Sequence, residues 1–163
     1  PDRRRRLVTG PRDDSKGEIA MRQLTLPALL VIALAGCAST APYGNFAAHP
    51  PAGLEERIAA DTVKQLVTLY PPARTRFHLG QPTPDAYGSA LVEALRAKGY
   101  ALVEFKEAAP ATVPGLSLHY VLDAVASPNL YRVTVMVGPK SLSRAYLAQN
   151  DRVAPAGAWV RKE

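Results

Sequence analysis

The chain has 163 residues, with 20 Lys or Arg against 14 Asp or Glu, a formal net charge of +6. Seven of those cations fall within the first 22 residues. Residues 37–163 hold thirteen basic against ten acidic residues, an ordinary solvated surface rather than a field built for nucleic acid. A single cysteine excludes an intrachain disulfide, so stability must come from packing, for which the remaining length suffices as one domain.

Residues 1–20 carry the run Arg3-Arg4-Arg5-Arg6, which would hinder export if it preceded a signal peptide. Lys16-Gly17-Glu18 can be encoded by a purine-rich string of the kind that binds ribosomes, placed just upstream of Met21. Residues 1–20 are therefore expected to be translated leader and not structural. Residues 21–37 read MRQLTLPALLVIALAGC: a basic start, an apolar run from Leu24 to Leu34, and a small-residue exit. That is the pattern of a secretory signal, and its apolar run is well short of the roughly 20 residues a spanning helix needs.

The exit Leu34-Ala35-Gly36-Cys37 resembles the lipobox of bacterial lipoproteins. The resemblance implies a diacylglycerol thioether on the Cys37 sulfur, cleavage between Gly36 and Cys37, and acylation of the new amino end. One acyl chain holds a protein to a bilayer marginally, whereas two or three hold it firmly. The competing reading, a buried thiol in an apolar first helix, leaves the basic start and the small-residue exit unexplained. The expected organisation is leader 1–20, signal peptide 21–36, lipidated tether 37–53 and a single periplasmic domain 54–163.

The tether is small, polar and broken by Pro42, Pro50 and Pro51. Its Tyr43 and Phe46 have little use in a solvated linker, so they either dock on the domain or a partner, or lie loosely near headgroups. A helix is predicted over 54–70, with Leu54, Ile58, Ala59, Val63, Leu66, Val67 and Tyr70 on one apolar stripe, stopped by Pro71-Pro72. Residues 74–79 alternate as a strand, with Thr75, Phe77 and Leu79 on one face and Arg74, Arg76 and His78 on the other. Such a basic row is usually a wet face, although it suits phosphate or headgroups.

Thr83-Pro84-Asp85 supplies an N-cap, a first-turn proline and a first-turn acid for a second helix. Its core row is Tyr87, Ala90, Leu91, Ala94 and Leu95, and Gly99 ends it. Residues 100–105 form the strand it feeds, and 106–115 a loop. From Leu116 the period is two, with turns at Ser127-Pro128-Asn129, Gly138-Pro139-Lys140 and Asn150-Asp151, which predicts strands joined as an antiparallel meander closing over 153–161. The predicted class is α+β: two helices on a mainly antiparallel sheet of about five or six strands.

No convergent catalytic set emerges. The one thiol is consumed by lipid, and there is neither a G-x-S-x-G elbow nor a phosphate-cradling glycine loop. His49, His78 and His119 lack the spacing of metal ligands. His119 and Asp123 share a strand face as a conceivable metal or acid–base pair, but a solvated or cross-strand hydrogen-bonded pair is the commoner outcome. These residues predict no enzyme, cofactor or metal.

The lipobox, then CASTAPYGNF, then YGSALVEALRAKGYALVE over 87–104, then YRVTVMVG, LSRAY and PAGAWVRKE, resemble in that order the TrbH family. These are small lipoproteins of the mating-pair-formation regions of conjugative plasmids, and the resemblance runs over about 21–163. It supplies no functional residue beyond the lipidated cysteine, here Cys37. It implies a structural component of a type IV secretion apparatus, held by its N-terminal lipid and docked on other secretion-channel proteins of the outer-membrane complex, with neither nucleic acid nor a small-molecule substrate bound directly. Ala38, where an Asp would favour inner-membrane retention, implies the outer membrane, facing the periplasm. A transport-auxiliary lipoprotein that binds lipid or assists an ABC-type exporter is the alternative, and predicts an apolar groove.

Replacing Cys37 with serine is expected to leave an unprocessed, unlipidated precursor, detected by mass spectrometry of membrane fractions. A normally processed C37S protein would contradict the lipobox reading.

Overall fold

The computed structural model describes residues 42–107, 113–125, 127, 129–150 and 152–163. Gly36, Cys37 and the rest of the signal stretch lie outside the described residues. The elements run β1 (Gly44–Asn45), α1 (Leu54–Leu69), a 3-10 turn (Pro72–Arg74), β2 (Arg76–Leu79), α2 (Ala86–Ala97), β3 (Ala101–Val103), β4 (Leu116–Ala124), β5 (Leu130–Val137), β6 (Lys140–Gln149), β7 (Arg152–Pro155) and β8 (Val160–Lys162). Among them no helix is long and apolar enough to cross a membrane.

The two helices form where the apolar spacing places them. In α1, Leu54, Ile58, Ala59, Val63 and Leu66 are buried, and Glu55 and Glu56 occupy the first turn, where the helix dipole favours them. In α2, Tyr87, Leu91 and Leu95 are buried, while Ala90 and Ala94 are partly so. Gly99 ends α2 with φ of 80°, and the amides of Gly99 and Tyr100 donate back to the carbonyls of Arg96 and Leu95, the paired bonds of a Schellman turn. The start of α2 departs from expectation. Asp85, not Thr83, is the N-cap, because its carboxylate accepts the Gly88 amide at 2.8 Å. Thr83 lies before the helix, and its carbonyl accepts the Ser89 hydroxyl.

The sheet is mixed as well as α+β in class. Its main path is β3-β2-β4-β5-β6-β7, with β1 added beside β4 and β8 beside β6. Strands β4, β5 and β6 form the expected antiparallel meander, but β1–β4, β2–β3 and β2–β4 are parallel. Helix α2 crosses between β2 and β3 and returns the chain in the same direction, which a hairpin cannot do. The expected strand over 153–161 is split in two. β7 and β8 lie in turn along the same edge of β6, and between them Arg144 Nε donates to the Gly157 carbonyl while its guanidinium lies 5.9 Å from the Trp159 ring. Pro155, which cannot donate to a ladder, sits on this outer edge. Arg74, expected in β2, instead closes the 3-10 turn that follows Pro71.

Along β4, β5 and β6 every second residue faces the helices: Leu118, Tyr120 and Leu122, then Tyr131, Val133, Val135 and Val137, then Leu142, Tyr146 and Ala148. This layer is stitched by hydrogen bonds as well as by apolar contact. Asp61 on α1 accepts the Tyr146 hydroxyl at 2.7 Å and Arg144 Nη1 at 2.8 Å. Tyr87 donates to Thr62 across the helix pair at 3.2 Å, and Tyr100 donates to the Tyr70 carbonyl at 2.6 Å. Burial pushes the Tyr100 phenol up to about 12 and the Tyr87 and Tyr146 phenols higher still, so all three stay neutral donors.

Asp61→Ala removes the acceptor of both the buried Tyr146 hydroxyl and Arg144 Nη1, at an expected cost of about 1–3 kcal/mol. Asp61→Asn, which keeps one acceptor oxygen, is expected to lose less. Urea unfolding of the two variants measures the difference.

Candidate functional site

The place where sequence-predicted residues converge is the edge of β4 that faces β2. β2 pairs with only its first part, from Phe77 beside Leu116 to Leu79 beside Leu118, and the Gly80 amide extends the ladder to the Leu118 carbonyl at 2.9 Å. The chain then turns away toward α2. At the next position the buried Gln81 side chain takes the strand's role, its Oε1 accepting the Tyr120 amide at 3.0 Å. Beyond that, β1 takes over in parallel, with Gly44 beside Val121 and Asn45 beside Leu122, and the Phe46 amide donates to the Leu122 carbonyl at 2.7 Å. Backbone polar groups left unpaired in such a place are costly, so each of the three successive partners is required.

Gly44 and Asn45 of the expected tether therefore belong to the sheet, and Phe46 is bonded to it through its backbone. Asn45 fixes the segment further: its Oδ1 accepts the Ala47 amide at 3.0 Å, and its Nδ2 approaches Glu55 Oε1 at 3.5 Å, at the start of α1. Of the two aromatics, Tyr43 docks on the domain, its ring 4.4 Å from that of His119. Phe46 joins through its backbone while its side chain stays 48% exposed.

The candidate residues do not form a catalytic group. His119 and Asp123 share a face of β4 as expected, but Arg132 on β5 claims Asp123 through Nε at 3.2 Å and Nη2 at 2.5 Å. His119 instead packs between Tyr43 and Gly80. A Cβ at residue 80 would stand 2.1 Å from His119 Nε2, so only glycine permits this approach. Burial holds the His119 imidazole below its usual range, and a hydrogen bond to the Gly80 backbone works in the opposite direction. His78 Nε2 and Gln81 Nε2 are buried without hydrogen-bond partners among the described residues, and His49 is exposed near β1. No cluster of three or more His, Cys, Asp or Glu among the described residues is placed to hold a metal ion.

Sequence reasoning missed Gln81 and the second role of Asp85. Besides capping α2, Asp85 Oδ2 accepts the buried Tyr120 hydroxyl. Burial first, and then this carboxylate, raise the Tyr120 phenol well above the usual range. The helix-start pattern pointed to Asp85, but nothing in it pointed to a partner 35 residues away.

The lowered His119 value carries a pH dependence. Below about pH 6.5 the unfolded chain binds a proton on this residue more readily than the folded protein does. The stability tied to the neutral ring is thus present above that pH and is lost as the pH falls through the folded-state value. The urea midpoint is expected to drop on acidification from neutral pH, and to drop less in His119→Gln; identical slopes would contradict the assignment.

Comparison with known proteins identifies a family. The family model described as conjugal transfer protein TrbH covers residues 40–163, from just before β1 through β8. Neither the curated proteins nor the solved structures yield a match. With more than half of its length matched, including the β4 edge and both helices, the chain belongs to the TrbH family of conjugal transfer proteins.

Proposed function

We propose that this protein is a lipid-anchored structural component of the conjugative type IV secretion apparatus, attached through Cys37 to the outer membrane and facing the periplasm. It acts by binding other secretion-channel proteins rather than by catalysis. Family membership supports a role in conjugal transfer. The signal pattern and lipobox support the anchor.

The observation that carries the scaffold reading is the docking of β1. Only residues 38–41 separate the proposed lipidated cysteine from the described part of the domain, whose first strand is bonded to the central strand β4. A load on the anchor passes directly into the sheet. A component that holds a large assembly to a membrane needs such a connection, whereas a soluble carrier on a long leash does not.

One observation favours the alternative of a lipid-binding transport auxiliary. An apolar groove of about 600 Å³ lies between the helices, lined by Ala60, Val63, Val67, Ala94 and Ala97 with Lys64 and Lys98 at its rim. It is open along the outside of the helix pair rather than enclosed, which suits a protein contact better than a carried lipid.

Deleting the gene is expected to abolish or strongly reduce plasmid transfer in a mating assay, and the detergent-extracted protein is expected to co-purify with secretion-channel components. Normal mating, or co-purification with an exporter instead, would overturn the scaffold reading. Combined substitution of His78, His119 and Asp123 is expected to spare transfer as long as the variant folds and reaches the membrane.

A further inference from the structure

The ladder registers gather much of the domain's positive charge at one end of the sheet. Arg76 stands beside Ala101, Phe77 beside Leu116, Val137 beside Lys140 and Ser141 beside Lys162, so the starts of β2, β3, β4 and β6 and the finish of β8 share that end. Arg74 just precedes β2, and Lys98 just precedes β3. The end therefore carries Arg74, Arg76, Lys98, Lys140, Arg161 and Lys162 against a single carboxylate, Glu163, which Lys140 and Arg161 share at 3.2 and 2.5 Å. All other described residues together hold seven cations and eight carboxylates. The domain's net positive charge is thus concentrated here, and the rest is nearly balanced.

Two further features mark this end. Exposed apolar side chains stand among the cations: Leu116 is 36% exposed and Val113 43%, beside a cleft of about 480 Å³ that Arg74, Arg76, Pro72 and Pro114 line. Among the described residues no acidic one lines that cleft. The chain also approaches from this side. β1 runs parallel to β4, so the backbone leading into Tyr43 arrives from the end where β4 starts, and Tyr43 touches His119 only about 10 Å along β4 from Leu116. Cys37 is five residues before Pro42 in the sequence, a reach of at most roughly 18 Å.

We propose that this basic end is the face the domain presents to an anionic phospholipid surface. The arginines and lysines meet headgroup phosphates, and Leu116 and Val113 enter the headgroup layer. An acidic protein would answer the same charges, but apolar side chains set among cations, on the side from which the anchored chain arrives, fit a bilayer. The inference rests on the lipid-anchor reading above and adds to it an orientation: the helices stand beside the membrane, and the ends of the sheet differ in what they face.

The test uses the full lipidated protein reconstituted into vesicles of phosphatidylcholine alone or with phosphatidylglycerol. Acetylation of Lys98, Lys140 and Lys162 is followed by mass spectrometry, with Lys106, beyond the far end of β3, as a reference in the same molecule. Labelling of the first three is expected to be several-fold slower with phosphatidylglycerol only, and the protection is expected to vanish at high salt. The double variant Arg74→Glu, Lys98→Glu is expected to lose the protection of Lys162. Equal labelling in both vesicles, with the protein floating alongside them, would overturn this inference and leave the anchor standing. Failure to float would overturn both. Protection that appears only after secretion-channel proteins are added would identify an acidic protein as the true partner and also overturn the bilayer assignment.

Discussion

Backbone groups along one edge of β4 must all find partners, and the way they do so organises the molecule. β2 serves the first positions, the Gln81 side chain the next, and β1 the last. A strand buried on its core face cannot leave amides and carbonyls unpaired without losing the desolvation free energy of each. The turn of the chain after Gly80 creates that gap, and it is closed by one side chain and by a segment drawn in from ahead of α1. Gly44 and Asn45, expected in a tether, are thereby built into the domain.

The same turn also seats α2 and locks it to the sheet. Asp85 caps the helix through one carboxylate oxygen and receives Tyr120, on the edge-bearing strand, through the other. On the far side, Asp61 ties α1 to β6 through Tyr146 and Arg144. Each helix thus has one carboxylate aimed at a buried tyrosine, at a position where slippage by a turn would leave a hydroxyl unsatisfied. Apolar packing supplies most of the favourable free energy, but it tolerates sliding, and these bonds do not.

The residues whose types suggested chemistry in the sequence do not converge in the fold. The histidines and the acid that shared faces in the sequence are spent on packing and on a surface ion pair: His119 lies between Tyr43 and Gly80, and Asp123 pairs with Arg132. What remains distinctive is the pairing of the first strand with the central strand β4 and a charge polarised along the strands.

The amino-acid sequence alone determined the local structure. The 3.6-residue spacing set both helices, the two-residue alternation set β4, β5 and β6 and their buried faces, and Gly99 set the end of α2, because these patterns depend only on which side chains can leave water together. It also carried the lipobox-like stretch and the family resemblance, which are written in contiguous residues. Tertiary structure decided which strands run parallel, that Asp85 rather than Thr83 caps α2, that residues 156–159 interrupt the last edge strand, and that Gly44 and Asn45 join β4. Those outcomes rest on tertiary partners, such as Gln81 with Tyr120, 39 residues apart, or Asp61 with Tyr146, 85 residues apart. Periodicity reports which face of an element is buried; it does not say which neighbour buries it or satisfies its polar groups.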